Sequence, residues 1–229
     1  MADYAPIPAH RMFSRGGWTL AFAIALFYVN HAEYPAVSLR ILAVLGIIAL
    51  GFLAAGFVIR WSSSAGALQI RDQLLDRLAL TGDERILDFG SGTGWMLIGA
   101  AKRLKTGRVT GLDLFGEADA IKEKAKNEGV ADKVRIEPGD PAKLVYPDGN
   151  FNVVTSALAL HRIPSGEDRA QAIRQMWRVL KPGGRLAIFD VLHTGDYAEE
   201  LRTAGATEVE LSPVSFLWCL PGRSLTAKK

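Results

Sequence analysis

The chain has 229 residues, enough for one domain of ordinary size and an appendage. Its 27 basic and 24 acidic residues leave a formal charge of +3, and no basic run marks a surface for nucleic acid. Cys219 is the only cysteine, which excludes an intrachain disulfide and a cysteine-cluster zinc site.

Hydrophobic residues make up 49% of the chain, high for a wholly soluble protein, and the excess lies near the N-terminus. Residues 1–15 open with a proline-containing stretch, MADYAPIPAH, and are expected to be irregular. From Gly16 to Ala32 no residue carries a full charge, and a second apolar run, Ile41–Ile59, is closed by Arg60 and Trp61. As helices the two runs would measure about 25 and about 28 Å, against a hydrocarbon core of about 30 Å. The second run is apolar on every face, unlike a helix packed on one side of a soluble core. A signal peptide fits poorly, because Asn30-His31-Ala32 is not a small-residue cleavage site and another apolar run follows at once. Trp18, Tyr28, Tyr34 and Trp61 sit near the run ends, where aromatic belts occur.

Residues 16–61 therefore read as a transmembrane helical hairpin. Arg11, Arg15, Arg60 and Arg71 flank it, against Arg40 alone near the connection. That bias places both termini and the following domain on the cytoplasmic side of an inner (cytoplasmic) membrane. Gly46, Gly51, Ala55 and Gly56 recur at near-helical spacing and would let helices approach, within the hairpin or in a homo-oligomer.

Residues 62–66, SSSAG, read as a short flexible linker. The apolar spacing of Leu68, Leu74, Leu75, Leu78 and Leu80 predicts an amphipathic helix over Ala67–Leu80. A buried strand follows in Arg85–Trp95, RILDFGSGTGW, carried by Ile86, Leu87 and Phe89. It ends in Gly90, Gly92 and Gly94, and an apolar helical pattern runs on to Leu104. Glycines there let backbone pass close to a ligand, beside the unpaired N–H groups of a helix start. The spacing disfavours a dinucleotide site, because the third glycine of G-x-G-x-x-G would fall on Trp95 or Leu97.

A second strand, Arg108–Leu112, ends on Asp113, about 20 positions past the loop. A carboxylate at that strand end can accept hydrogen bonds from ribose hydroxyls, or it can cap the next turn. Glu117–Glu128 reads as a helix with a solvated outer surface. A third strand, Val134–Glu137, leads to Gly139-Asp140-Pro141, and a fourth, Phe151–Ser156, opens into an apolar segment containing His161. The helix Asp168–Leu180 stops at Lys181-Pro182-Gly183-Gly184, a sharp turn into the fifth strand, Arg185–Phe189. A helix (Tyr197–Ala204) and strands at Glu208–Leu211 and Ser224–Ala227 complete the pattern. The apolar stretch Val214–Pro221 is expected in the last hairpin and core, with an acceptor-pocket wall or membrane contact as the alternative.

Arg85–Trp95, the turn YPDGNFNVV (Tyr146–Val154) and RVLKPGGRLAIFD (Arg178–Asp190), in this order, resemble the class I S-adenosylmethionine (SAM) dependent methyltransferases of small molecules, the ubiquinone-biosynthesis kind included. Over about Ala67–Lys229 the resemblance implies an α/β fold. This is a Rossmann-like, mostly parallel seven-stranded sheet with helices on both faces and an antiparallel last strand. It implies SAM as cofactor, giving S-adenosylhomocysteine; no His/carboxylate cluster in the sequence suggests a metal. Cofactor contacts would come from Asp88, Gly90, Ser91, Gly92, Gly94, Asp113, Leu114, Asp140, Pro141 and Ser156. Asp113 would hold the ribose and Asp140 the adenine amino group. The backbone N–H that commonly contacts the adjacent ring nitrogen is missing at Pro141, and Ala142 is the substitute after a small loop shift.

In-line methyl transfer needs alignment and a dry pocket, and a base only where the acceptor loses a proton. His161, just past the fourth strand, is the candidate base, with His193 and Asp190 behind it and a structural histidine as the alternative. The expected function is a membrane-anchored methyltransferase acting on a small, lipophilic O, S or N nucleophile, with membrane lipid as a partner. A non-catalytic SAM-binding module is the alternative, supported only by Pro141. A nucleic-acid methyltransferase is disfavoured: after the fourth strand the chain has SALALH, not an Asn/Asp-Pro-Pro-aromatic motif.

Overall fold

A computed structural model describes residues 9–30, 32–114, 116–218 and 220–229. The expectations that fall on residues 1–8, His31 and Cys219 lie outside the described residues. The chain divides into two compact units, one ending at Ala67 and the other beginning at Leu68.

The first unit is a helical pair, α1 (Ala9–Asn30) and α2 (Pro35–Trp61). Helix α1 starts at Ala9, not Gly16, which corrects the expected irregularity of residues 9–15. Pro6 and Pro8 lie just upstream and no proline follows until Pro35, so nothing breaks the backbone ladder after Ala9. Ser14 and Thr19 turn their hydroxyls back to the carbonyls of Arg11 and Arg15. Pro35 occupies the first turn of α2, where its missing N–H costs nothing. The two helices approach through glycines on both. A Cβ on Gly16 would lie 3.1 Å from Ala49 O, and one on Gly56 would lie 2.9 Å from the Phe13 ring. Gly46 and Gly51, expected on the same seam, have open space beside them. Both helices are long and apolar enough to cross a membrane.

Residues 62–66 are not a loose linker but a π-helical turn. Ser63 and Ser64 donate their hydroxyls to Ile59 O and Arg60 O, one turn back (2.7 and 2.6 Å). Those bonds satisfy the serines inside a helix that their composition would otherwise disfavour. Helix α3 (Ala67–Arg77) follows and buries Ile70, Leu74 and Leu75.

The second unit holds a seven-stranded sheet: β1 (Arg85–Phe89), β2 (Arg108–Asp113), β3 (Val134–Pro138), β4 (Phe151–Ala157), β5 (Leu180–Asp190), β6 (Thr207–Leu211) and β7 (Arg223–Lys228). The order is β3-β2-β1-β4-β5-β7-β6, parallel from β3 to β5, with β7 antiparallel to both its neighbours. Helices α4 (Trp95–Arg103), α5 (Ala118–Asn127), α6 (Gly166–Val179) and α7 (Thr194–Thr203) connect the strands. The order runs outward from β1 to β3, then outward the other way from β4. Right-handed crossovers therefore set α4 and α5 on one face and α6 and α7 on the other. The core joins Leu87, Phe89 and Val154 of the sheet to Ile173 and Met176 of α6 and Leu201 of α7.

Two expectations change here. Lys181–Gly184 is not a turn before β5 but a bulge within it: Leu180 pairs with Phe151, then Arg185 with Val153. Gly183, at φ +75°, permits the detour. Within Val214–Pro221, expected in the core, Trp218 is buried, whereas Val214, Phe216 and Leu220 are exposed.

Candidate active site

The sheet changes direction between β1 and β4, and in open α/β sheets the crevice beyond the strand ends at such a point is where ligands bind. Strand β1 delivers Gly90, Gly92 and Gly94 there, with φ of +70°, +48° and +79°. A Cβ on Gly90 would lie 2.4 Å from the Cβ of Ala159 and 3.3 Å from Leu114. The glycine thus lets the segment after β4 and the residue after β2 close on one loop. Gly94 abuts Ile121 at 2.8 Å, while at Gly92 the nearest group would be Gly90 O, 3.9 Å away. Ser91 ties the loop down: its N–H donates to Leu112 O and its hydroxyl to Asp88 O. Ser156 donates to Phe89 O. Helix α5 contributes a residue that sequence reasoning took for solvated surface, because Lys124 Nζ donates to Thr93 O at 2.8 Å. A lysine on a charged helix carries no local signal of that reach.

Asp88 is buried. Its Oδ1 accepts from Thr155 Oγ1 at 2.8 Å, and its Oδ2 has no hydrogen-bond partner among the described residues. Burial pushes the carboxyl up from 3.8 to about 6, against the Thr155 and Ser91 hydroxyls and the Leu97 N–H, which favour the ionised form. Thr155 was not legible as part of this site, since a threonine in a β-strand is ordinary.

Asp113 and Asp140 emerge at the matching ends of β2 and β3, with Asp113 paired to Pro138. Asp113 Oδ1 accepts from Gly116 N and Oδ2 from Ala118 N, so it organises the turn into α5. Asp140 Oδ1 accepts from Ala142 N at 2.8 Å. The N–H considered as a substitute for the one missing at Pro141 is therefore engaged within its own turn.

On the other side of the switch point, His161 follows β4 in a short 3₁₀ turn, Leu160–Arg162. Its Nδ1 lies 2.5 Å from Asp190 Oδ1, and its backbone N–H donates to Asp190 Oδ2 at 3.0 Å. The Asp190 side chain is fully buried at the end of β5, and the imidazole is partly exposed. His193 is not part of this pair. It caps α7 with φ +60° and places its ring 3.4 Å from Asp196. A groove of about 560 Å³, lined by Arg77, Arg185, Glu208 and Lys228 among others, shares no residue with this group. Among the described residues no cluster of three His, Cys, Asp or Glu could hold a metal ion.

Residues 87–188 match a family described as a methyltransferase domain. The 27-O-demethylrifamycin SV methyltransferase of Amycolatopsis mediterranei is 36% identical over 141 residues, 58% of this chain and 49% of that protein. A demethylmenaquinone methyltransferase of Lactiplantibacillus plantarum is 36% identical over 122 residues, 52% of this chain and 50% of that one. The ubiquinone/menaquinone biosynthesis C-methyltransferase UbiE of Pseudomonas fluorescens is 37% identical over 108 residues, 46% and 41% of the two chains. The chain thus spans about half the length of the curated relatives it matches. Among solved structures, a SAM dependent methyltransferase from Aquifex aeolicus aligns with TM-score 0.59 and 19% identity, over 76% of this chain and 97% of that one. The cyclase SpnF aligns with TM-score 0.63 and 22% identity, over 74% and 83%. Such likeness shows the fold, and a cyclase among the neighbours shows that the fold alone does not dictate the reaction. Residues 87–188 carry a class I, SAM-dependent methyltransferase domain.

Proposed function

We propose that this protein is a membrane-anchored enzyme that transfers the methyl group of SAM to a small, lipophilic acceptor. The observation that carries the reading is the glycine loop closed against Ala159 and Leu114, with a buried carboxylate oxygen of Asp88 beside it that has no hydrogen-bond partner among the described residues. That orphan acceptor suits the α-ammonium group of SAM, a charged donor that would offset its burial. Gly90, Ser91, Gly92 and Gly94 bring backbone close to the ligand. Asp113 and Leu114 would meet the ribose and Asp140 and Pro141 the adenine, with Ser156 bracing the loop from β4. The bound cofactor supplies an electrophilic methyl carbon on a positively charged sulfur. His161 takes the acceptor's proton where there is one to take.

The acceptor class is supported by the rim. Leu192 lies two residues past Asp190, and Leu220 three residues before Arg223, which pairs with Asp190. With Val214 and Phe216, which flank the Ser215–Gly222 bridge, these side chains are exposed near the Asp190 end of β5, where His161 meets Asp190. The names of the matched relatives are those of methyltransferases with small-molecule acceptors. Helices α1 and α2 would hold the domain at the bilayer, raising the concentration of acceptors dissolved there. Open space beside Gly46 and Gly51 is compatible with a homo-oligomer through α2.

The test incubates the full chain with SAM labelled in its methyl group and a total membrane extract. Label is followed in organic-soluble, aqueous and volatile fractions, with Asp113→Ala as control. Organic-soluble label that disappears in the variant is the expected result. SAM binding with no label in any fraction would favour the non-catalytic binding module.

A further inference from the structure

We propose that Asp190 is a positioning residue that holds His161 as the Nδ1–H tautomer, so that Nε2 can deprotonate a hydroxyl acceptor of the phenol or enol class. The proposal rests on the methyl-transfer reading for its chemistry, but its geometry is independent of it. Asp190 is fully buried and its oxygens are spent on one neighbourhood. Oδ1 receives His161 Nδ1 and the Val191 N–H, and Oδ2 receives the His161 backbone N–H. An ionised carboxylate so placed accepts only, so the shared proton must sit on Nδ1. No described residue bonds Nε2, and the imidazole is partly exposed. A histidine kept only for packing needs neither the side-chain contact nor the second bond to its backbone. The other charged or titratable groups near the pair are Tyr197 and Asp196 of α7 and Arg169 of α6. Arg169 is engaged by the carbonyls of Ile163 and Pro164.

Backbone strain flanks the same pair. Leu158, three residues before His161, has φ +56°, and His193, three residues after Asp190, has φ +60°. Non-glycine residues seldom adopt this region, and such outliers gather at functional sites. The Leu158 N–H is fastened to Phe189 O, so the strained segment is pinned to β5 beside Asp190.

The orientation selects the acceptor. A neutral amine attacks through its lone pair and loses its proton only after the new bond forms, so it needs no base beforehand. A thiol ionises in part near neutrality unaided. A hydroxyl is the nucleophile that gains most from a fixed base. Its oxygen forms the new bond to the methyl carbon as the carbon–sulfur bond breaks and leaves its electron pair on sulfur. The hydroxyl proton moves to Nε2, the imidazolium is held against the Asp190 carboxylate, and the proton then passes to water.

The test records a long-range ¹H–¹⁵N correlation spectrum of ¹⁵N-labelled full chain in detergent, with His161→Gln assigning one histidine of the four. The expected result is an Nδ1–H tautomer for His161, with a strongly downfield Nδ1 proton that disappears in Asp190→Asn. An Nε2–H tautomer in the unmodified protein overturns the proposal, and so does an unchanged His161 signal in Asp190→Asn. The tautomer itself is read in the unmodified protein and needs no acceptor. In the labelled-methyl assay, Asp190→Asn should lower turnover on the order of 10²–10⁴-fold with SAM affinity retained in equilibrium dialysis, and Asp190→Glu should recover part of it. Turnover within threefold of the unmodified protein would also overturn the proposal. Failure to bind SAM at all would instead strike the methyl-transfer reading, and the tautomer would still be read.

Discussion

Thr155 donates its hydroxyl to Asp88 Oδ1 across the β1–β4 pairing, at 2.8 Å and 67 positions apart in the chain. The second oxygen of the same carboxylate is buried with no hydrogen-bond partner among the described residues. One oxygen is bonded across the sheet, and the other has only the Ser91 hydroxyl and the Leu97 N–H near it, outside hydrogen-bond geometry. Asp88 thereby joins the stability of the domain to the occupancy of its site.

The first prediction concerns pH. The Asp88 carboxyl rises from 3.8 to about 6 through burial, so the folded state favours its neutral form. The stability this contributes is fully present below pH 3.8 and is lost as pH rises through about 6. The gap corresponds to about 3 kcal/mol. Asp88→Asn removes the titration, so its stability relative to the unmodified protein should rise by roughly that amount between about pH 4 and pH 8. Urea unfolding of both proteins at the two pH values checks this. Parallel pH dependences would show that Asp88 ionises without cost.

The second concerns the glycine loop. Gly90→Ala puts a Cβ 2.4 Å from that of Ala159 and forces alanine to φ +70°. Strain and overpacking together should cost about 2–4 kcal/mol. The double variant Gly90→Ala, Ala159→Gly removes the collision but not the backbone strain, so it should recover about half. Equal loss in single and double variants would mean that the left-handed backbone, not Ala159, accounts for the whole effect.

The third separates two aromatic residues of one loop. Trp218 is 4% exposed and Phe216 is 75% exposed. Trp218→Ala should cost about 3–5 kcal/mol. Phe216→Ser should stay within about 0.5 kcal/mol of the parent while raising KM for an organic-soluble acceptor several-fold. An unchanged KM would remove Phe216 from the acceptor's path.

Much of the fold was legible because its signals are local. Ile86, Leu87 and Phe89 announce a buried strand, and Gly90, Gly92 and Gly94 announce backbone in a conformation other residues resist. The errors also have physical sources. Ser62–Ser64 suggest a linker by composition, but their hydroxyls find helix carbonyls. Val214, Phe216 and Leu220 suggest core by hydropathy, which does not distinguish a core from an exposed apolar rim.

Composition and periodicity therefore determined where the strands and helices lie, which loop is rich in left-handed backbone, and which strand ends carry carboxylates. Each depends on neighbours within a few residues. Only the tertiary structure decided that Asp190 grips His161 from 29 positions away, that Thr155 serves Asp88, and that Lys124 reaches the glycine loop. Those pairings follow from the sheet order and the crossing of helices over it, which bring distant residues together at distances no local pattern encodes.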